Sequence, residues 1–363
     1  MALCTLGTVY SGRLFTVLGA AAPGVATFCG YGAAVDGARP PGRRPWAKTA
    51  VYLTVYSVIL VEPPVFALTC VEALTALFPS RLTRATAGLL ASAIVLPLAQ
   101  LQHLEDLAAC AWAGVAGMAV AAGAVVVALA RLPVDPATRV PTALVARHTP
   151  PAAAAAALMD VVFAYGGQVN WVRYVGGMAS PPLFSRCVLA TAAAMTAAYA
   201  VVGAVGYAVL GSSFDGAAPV TSVLPPSAAA SLANAGLLLH AVLAYQINVN
   251  VWAHTALHVV RGGGGDHGDG RGRSLWLTTT ALCIALSALV AHLVPNFSGL
   301  MAVVASLGDL AGAYALPAAF VLALAPGVLG RGEGRLAKAL VPVALVASGV
   351  GMVLSVKALV DGP

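Results

Sequence analysis

The sequence predicts an all-α, polytopic membrane protein, and two observations carry that prediction. The first is composition. The 363-residue chain is 60% hydrophobic and 9% charged, with a mean hydropathy of +0.89. A soluble domain carries about 25% charged residues, so the surface of a water-soluble globule of this size could not be built from so few. The second is segmentation. Ten apolar stretches follow one another, most near the ~20 residues that a membrane-spanning helix needs. One helical bundle in a lipid bilayer satisfies both.

The first stretch, Ala2 to Leu18, carries Arg13 and has no basic region before it, so it does not read as a signal peptide. A Gly/Pro-rich stretch leads to the second, Ala47 to Phe78, where Pro63-Pro64 supplies a bend. The third, Ala85 to Leu101, holds Pro97, and a polar joint (Gln102 to Asp106) precedes the fourth, Leu107 to Leu129. The fifth starts at Pro151. The sixth runs from Phe184 to Leu210, and the seventh from Ser227 to about Val260, with Ser227 as a reasonable N-cap. The eighth, ninth and tenth are Leu275 to Leu293, Gly299 to Leu324 and Lys338 to Val360.

Loop charge explains the formal net charge of +6 better than a nucleic-acid partner does. Thirteen of the nineteen Lys and Arg fall at Arg13 and in the loops after odd-numbered stretches. That side is expected to be cytoplasmic, with the Arg261 to Arg273 loop inside and the Gly211 to Pro226 loop outside. Both termini then lie outside the cytoplasm, an orientation that leads us to expect an absent first helix. The six cysteines are scattered, with no CxxC, and read as small packing residues.

The fifth stretch is the one that stops being a good helix. Met159-Asp-Val-Val-Phe163-Ala164-Tyr165-Gly166-Gly167-Gln168 ends an alanine-rich run in two adjacent glycines, each costing roughly 1 kcal/mol in a helix interior. A helix broken inside the bilayer frees backbone groups that hydrocarbon cannot satisfy, so the break must line a cavity or bury itself in protein. Many secondary transporters hold substrate at such a break. The plainer alternative is a helix ending in a surface loop.

Carboxyls at membrane depth are costly and mark cavities or partners. Glu62 is deepest by position, beside Pro63-Pro64, and is the candidate carrier of a coupling proton. Glu72 and Asp160 read as interfacial groups near helix ends, and Asp309 as a bridge between helices in a Gly-rich segment. The seventh stretch carries a polar stripe of Asn234, His240, Tyr245, Gln246, Asn248, Asn250, His254 and His258. It is expected to line the pathway or to lie near the cytoplasmic end. Tyr245 and Asn248 share a helix face, as do His254 and His258. With no Cys or carboxylate near the histidines in sequence, no metal site is expected. Asn296-Phe-Ser298 has the form of a glycosylation sequon but sits too close to the membrane to be used.

Several of these stretches, in this order, resemble the amino acid/auxin permease family of eukaryotic amino-acid transporters. Tyr10-Ser-Gly-Arg-Leu14 resembles the end of its second helix, and Val162 to Gln168 its broken sixth. Tyr199 to Gly211 resembles the seventh, and Leu232-Ala-Asn234 with His240 and Tyr245 the eighth. Val294-Pro-Asn-Phe297 with Leu307 to Pro317 resembles the ninth-to-tenth region. The resemblance implies an inverted-repeat, five-plus-five transporter bundle with one extra helix. This chain would be N-terminally truncated, with about ten transmembrane helices. It also implies a remainder of the first repeat over 1–151, a second repeat over 152–326 and an extra helix over 327–363. The family follows its break with Phe-Pro and an acidic residue, where this chain has Asn170-Trp171-Val172-Arg173.

The expected function is secondary active transport of amino acids by proton-coupled symport, with Na⁺ as the alternative coupling ion. Substrate would contact Phe163, Ala164, Tyr165, Gly166, Gly167 and Gln168. The resemblance places Tyr245 and Asn248 opposite them. No enzymatic motif, catalytic residue, cofactor or metal is expected. The partners are the amino acid and the bilayer, and the location is multi-pass in the plasma membrane or a vacuolar or other endomembrane. The alternatives are a transport-inactive truncated relative and a membrane scaffold.

Overall fold

A computed structural model describes the chain except residues 26, 103–107, 133–141, 143–149, 212–218, 262–269, 295 and 362–363. The core of the Arg261 to Arg273 loop and much of the Gly211 to Pro226 loop, on which the expected orientation rests, lie outside the described residues. Every regular element among the described residues is helical. Eight helical runs are long and apolar enough to cross a membrane. The other two of the ten expected segments are α1 (Ala2–Ala21), of 20 residues, and the 15-residue α4 (Arg84–Leu98).

The chain divides into two compact units, each drawing on both expected repeats. The first comprises Met1–Val58, His148–Ala200 and Met301–Gly362. It holds α1, α2 (Phe28–Gly37), the start of α3 (Ala47–Leu77), α6 (Pro151–Ala164), α7 (Trp171–Gly177), most of α8 (Phe184–Leu210), most of α11 (Phe297–Leu324) and α12 (Arg331–Asp361). Small residues let these helices approach closely, as packing in lipid requires. A Cβ on Gly12 of α1 would stand 2.8 Å from Val188 of α8. Phe15 meets Phe28 and Trp171 edge-on at 5.6 Å, and Trp171 meets Phe184 at 5.3 Å. Ala156, Met159 and Val162 of α6 pack with Ala302, Ala305, Leu310 and Ala313 of α11 and Ala344 of α12.

Two departures from α geometry matter in this unit. α3 contains a π turn over Tyr52–Tyr56, and α11 contains two, Ala305–Asp309 and Ala311–Ala315. A Cβ on Gly308 would stand 2.1 Å from Val58 Cγ2 and 2.8 Å from Thr54 O, so only glycine allows this crossing of α11 and α3. At the start of α3, Asp36 accepts the backbone N–H groups of Trp46, Ala47 and Lys48 at 2.9, 3.0 and 3.1 Å. Partial burial works against its charge, but these three donors and nearby Arg39 outweigh it and hold the carboxyl below its ordinary range.

The second unit comprises Ile59–Arg147 and Val201–Leu300. It contains the rest of α3, α4, α5 (Ala108–Ala130), α9 (Ala228–Arg261) and α10 (Gly270–Leu293). α5 and α9 cross at Gly117 and Gly236, where a Cβ on Gly236 would stand 2.5 Å from Gly117 O. Glu62 interrupts α3 just before Pro63-Pro64, whose missing N–H groups cannot continue the helical bonding. Glu72 pairs with Arg84 at the start of α4, at 2.5 Å.

α4 holds Pro97 and ends at Leu98, and backbone N–H groups of the following turn reach Val95 O, Pro97 O and Leu98 O. Side chains of α9 and α10 add donors to Leu98 O and to the carbonyls just after the helix. Gln246 Nε2 donates to Leu98 O at 3.3 Å, and Trp276 Nε1 to Ala99 O at 3.0 Å. Asn250 Nδ2 donates to Leu101 O at 2.8 Å and Gln102 O at 3.2 Å, and His254 Nε2 to Gln102 O at 3.2 Å. His254 also packs on the Trp276 ring at 4.7 Å. Gln246, Asn250 and His254 of the α9 stripe therefore bond the end of α4 and the residues just after it.

Candidate functional site

α6 stops at Ala164 because its last donors turn back early. The Tyr165 N–H reaches Val162 O at 3.1 Å and the Gly166 N–H reaches Phe163 O at 2.8 Å. Gly167 then takes φ +96°, a left-handed conformation that disfavours any residue with a Cβ. One 3₁₀ turn, Gln168–Asn170, leads into α7. Regular α-helical bonding thus lapses between Ala164 and Trp171, as the paired glycines predict.

Three of the freed carbonyls have donors. Tyr199 Oη on α8 donates to Ala164 O at 3.0 Å, Gln168 Nε2 to Tyr165 O at 2.8 Å, and the Asn170 N–H to Gly167 O at 3.1 Å. The Tyr165 ring is buried and stands edge-on to Tyr199 at 5.6 Å. Its hydroxyl lies 2.8 Å from Thr196 Oγ1 of α8 and accepts from Thr5 Oγ1 of α1 at 3.2 Å. Thr5 and Thr196 are themselves 2.8 Å apart. Three hydroxyls from three elements therefore close a ring over the end of α6.

Charge reaches the break from α11. A Cβ on Gly166 would stand 3.0 Å from Asp309 Oδ2, and Asp309 is only 5% exposed. Gln168 and Asn170 are also buried, at 1% and 9% exposure. Their side-chain carbonyl oxygens have no hydrogen-bond partner among the described residues.

Of the residues singled out by sequence, Phe163, Ala164, Tyr165, Gly166, Gly167 and Gln168 all lie on the break. Phe163 is half-buried against the apolar cluster of α6, α11 and α12. Tyr245 and Asn248 belong to the second unit. There Tyr245 Oη donates to Ile284 O of α10 at 3.4 Å, and Asn248 Nδ2 to Ala244 O of its own helix at 2.9 Å. Glu62 is also in the second unit, buried, with Oε2 unpartnered among the described residues. Sequence reasoning did not find Thr5 or Thr196, and named Tyr199 only as the start of a family-like stretch. It read Asp309 as a bridge between helices, and the costly carboxyl in a Gly-rich apolar segment is the signal that could have led to the site.

A membrane chain, helical throughout its described regular elements, with a helix broken at a glycine pair beside a buried carboxyl group has features that many secondary transporters share. The sequence profile described as transmembrane amino acid transporter protein matches residues 15–360. The chain belongs to that family and is a multi-pass integral membrane protein. No curated protein matches it.

Proposed function

We propose that the protein carries amino acids across the membrane by proton-coupled symport, with substrate held at the broken helix around Phe163–Gln168. The observation that carries this reading is the lapse of helical bonding from Tyr165 to Asn170, beside the buried Asp309 carboxylate. A break of this kind exposes backbone donors and acceptors that match the two ends of an amino acid. Phe163 and Tyr165 give it aromatic walls. Glu62 is the coupling carboxyl in this reading. It is buried beside Pro63-Pro64, and its Oε2 has no partner among the described residues.

Uptake of a panel of labelled amino acids by proteoliposomes tests the reading, at mildly acidic and neutral external pH, with and without sodium. Faster uptake at acidic pH is expected for at least one amino acid, and Glu62→Gln should remove that dependence. Uptake that follows sodium and ignores pH overturns proton coupling. No uptake of any amino acid overturns transport and favours the transport-inactive alternative.

A further inference from the structure

We propose that Asp309 reads the substrate's ammonium group at the break and so sets the preference for an amino acid over the matching carboxylic acid. The inference rests on the reading of Phe163–Gln168 as the substrate site, and it adds a specificity-determining residue from another helix.

Placement comes first. With a hypothetical Cβ of Gly166 only 3.0 Å from Asp309 Oδ2 and 2.8 Å from Phe163 O, the carboxylate lies against the broken turn itself. Glycine is needed at 166 to allow that approach. The carboxylate is also held in place from behind. Asp309 closes the first of two π turns in α11, and its neighbour Gly308 has no room for a Cβ against Val58. A π insertion inside an α-helix is a frequent mark of a functional position.

The second observation is the chemistry around that turn. Gln168 Nε2 bonds Tyr165 O, which holds the Gln168 amide against the Tyr165–Gly166 peptide, where Asp309 also arrives. Gln168 Oε1, and Asn170 Oδ1 two residues on, are buried acceptors with no partner among the described residues. An ammonium group has several N–H donors and no acceptor. A carboxylate with two amide oxygens suits such a group and repels an anion.

The test uses the full chain in proteoliposomes and the amino acid of the panel that it carries fastest. Competitors are the des-amino carboxylic acid and the decarboxylated amine of that amino acid. The wild-type protein should be inhibited by the amine and not by the des-amino acid. Asp309→Asn should raise KM for the amino acid about 10- to 100-fold, the range for a lost charge-assisted hydrogen bond, and lose the discrimination between competitors. Asp309→Glu should restore the discrimination in part. Gly166→Ala, which pushes on Asp309 without removing its charge, should raise KM in the same direction if Asp309→Asn fails to fold. An Asp309→Asn protein with wild-type KM and unchanged discrimination overturns the inference and leaves the transport reading standing. So does an unchanged KM in Gly166→Ala, or an Asp309→Asn protein that loses only a dependence on sodium. Absence of uptake by the wild-type chain overturns the transport reading instead.

Discussion

The broken turn of the first unit and the polar stripe of the second have similar composition and differ in what their polar groups do. On α9, Gln246 donates to Leu98 O at the end of α4, and Asn250 and His254 go to the Leu101 and Gln102 carbonyls just after it. That is structural work: a 15-residue helix spans about 22 Å, short of the ~30 Å hydrocarbon core, and its end must be satisfied within protein. At the break the chain serves itself. Gln168 folds back on Tyr165 O, Tyr199 takes Ala164 O, and a ring of hydroxyls closes over Tyr165. Unpartnered amide oxygens occur in both regions. Only the break adds a left-handed glycine and a carboxylate in contact with its backbone. Polarity at membrane depth therefore does not mark a binding site. Polarity beside an interrupted backbone and a buried charge is the more specific signal.

The largest effect should come from closing the break. Gly166→Leu with Gly167→Leu fills the turn at Asp309 and forces a Cβ into the left-handed conformation at 167, at a cost of roughly 1–2 kcal/mol for the backbone alone. Uptake should fall at least about 100-fold, more than that backbone cost explains, while the protein still reaches the membrane. Retained uptake would remove the functional side of the comparison.

The break and the stripe were not equally legible in the sequence. Gly166-Gly167 announced a helix interruption because glycine acts locally, and so did Pro63-Pro64 and the apolar segments. Asp309 was visible as a costly carboxyl, but its contact with Gly166 spans about 140 residues of chain and leaves no local mark. Thr5 and Thr196 are ordinary helix residues until folding brings their hydroxyls to Tyr165. The α9 stripe read as a pathway lining because helical spacing reveals which residues share a face, and says nothing of the carbonyls they meet.

The stripe itself gives the next effect. Asn250 is fully buried and serves two carbonyls. Asn250→Leu leaves Leu101 O without that donor and Gln102 O with only His254, which should cost about 1–3 kcal/mol. The thermal midpoint in detergent should drop clearly, with KM for the transported amino acid unchanged. A raised KM at unchanged stability would move Asn250 from the structural group into the substrate path.

Tyr165→Phe should be milder. Thr5 and Thr196 keep their own 2.8 Å bond, so the loss is one shared hydroxyl, about 1 kcal/mol. Because that hydroxyl ties the end of α6 to α1 and α8, the expected change is a several-fold fall in uptake rate with a small stability loss. Equal falls in Thr5→Val and Thr196→Val would show the ring acting as one unit, and additive falls would show three separate contacts.

The smallest expected stability effect is at Tyr245, and it sharpens the comparison most. Its hydroxyl donates to Ile284 O at 3.4 Å, a long bond that contributes little. Tyr245→Phe should therefore change stability by less than about 1 kcal/mol. Tyr245 sits on the same helix as the structural stripe, yet the sequence singles it out as a substrate contact. In that role its hydroxyl should influence KM, and the variant should show a KM raised a few fold at nearly unchanged thermal midpoint. An unchanged KM would place Tyr245 with Gln246 and Asn250 as part of the scaffold.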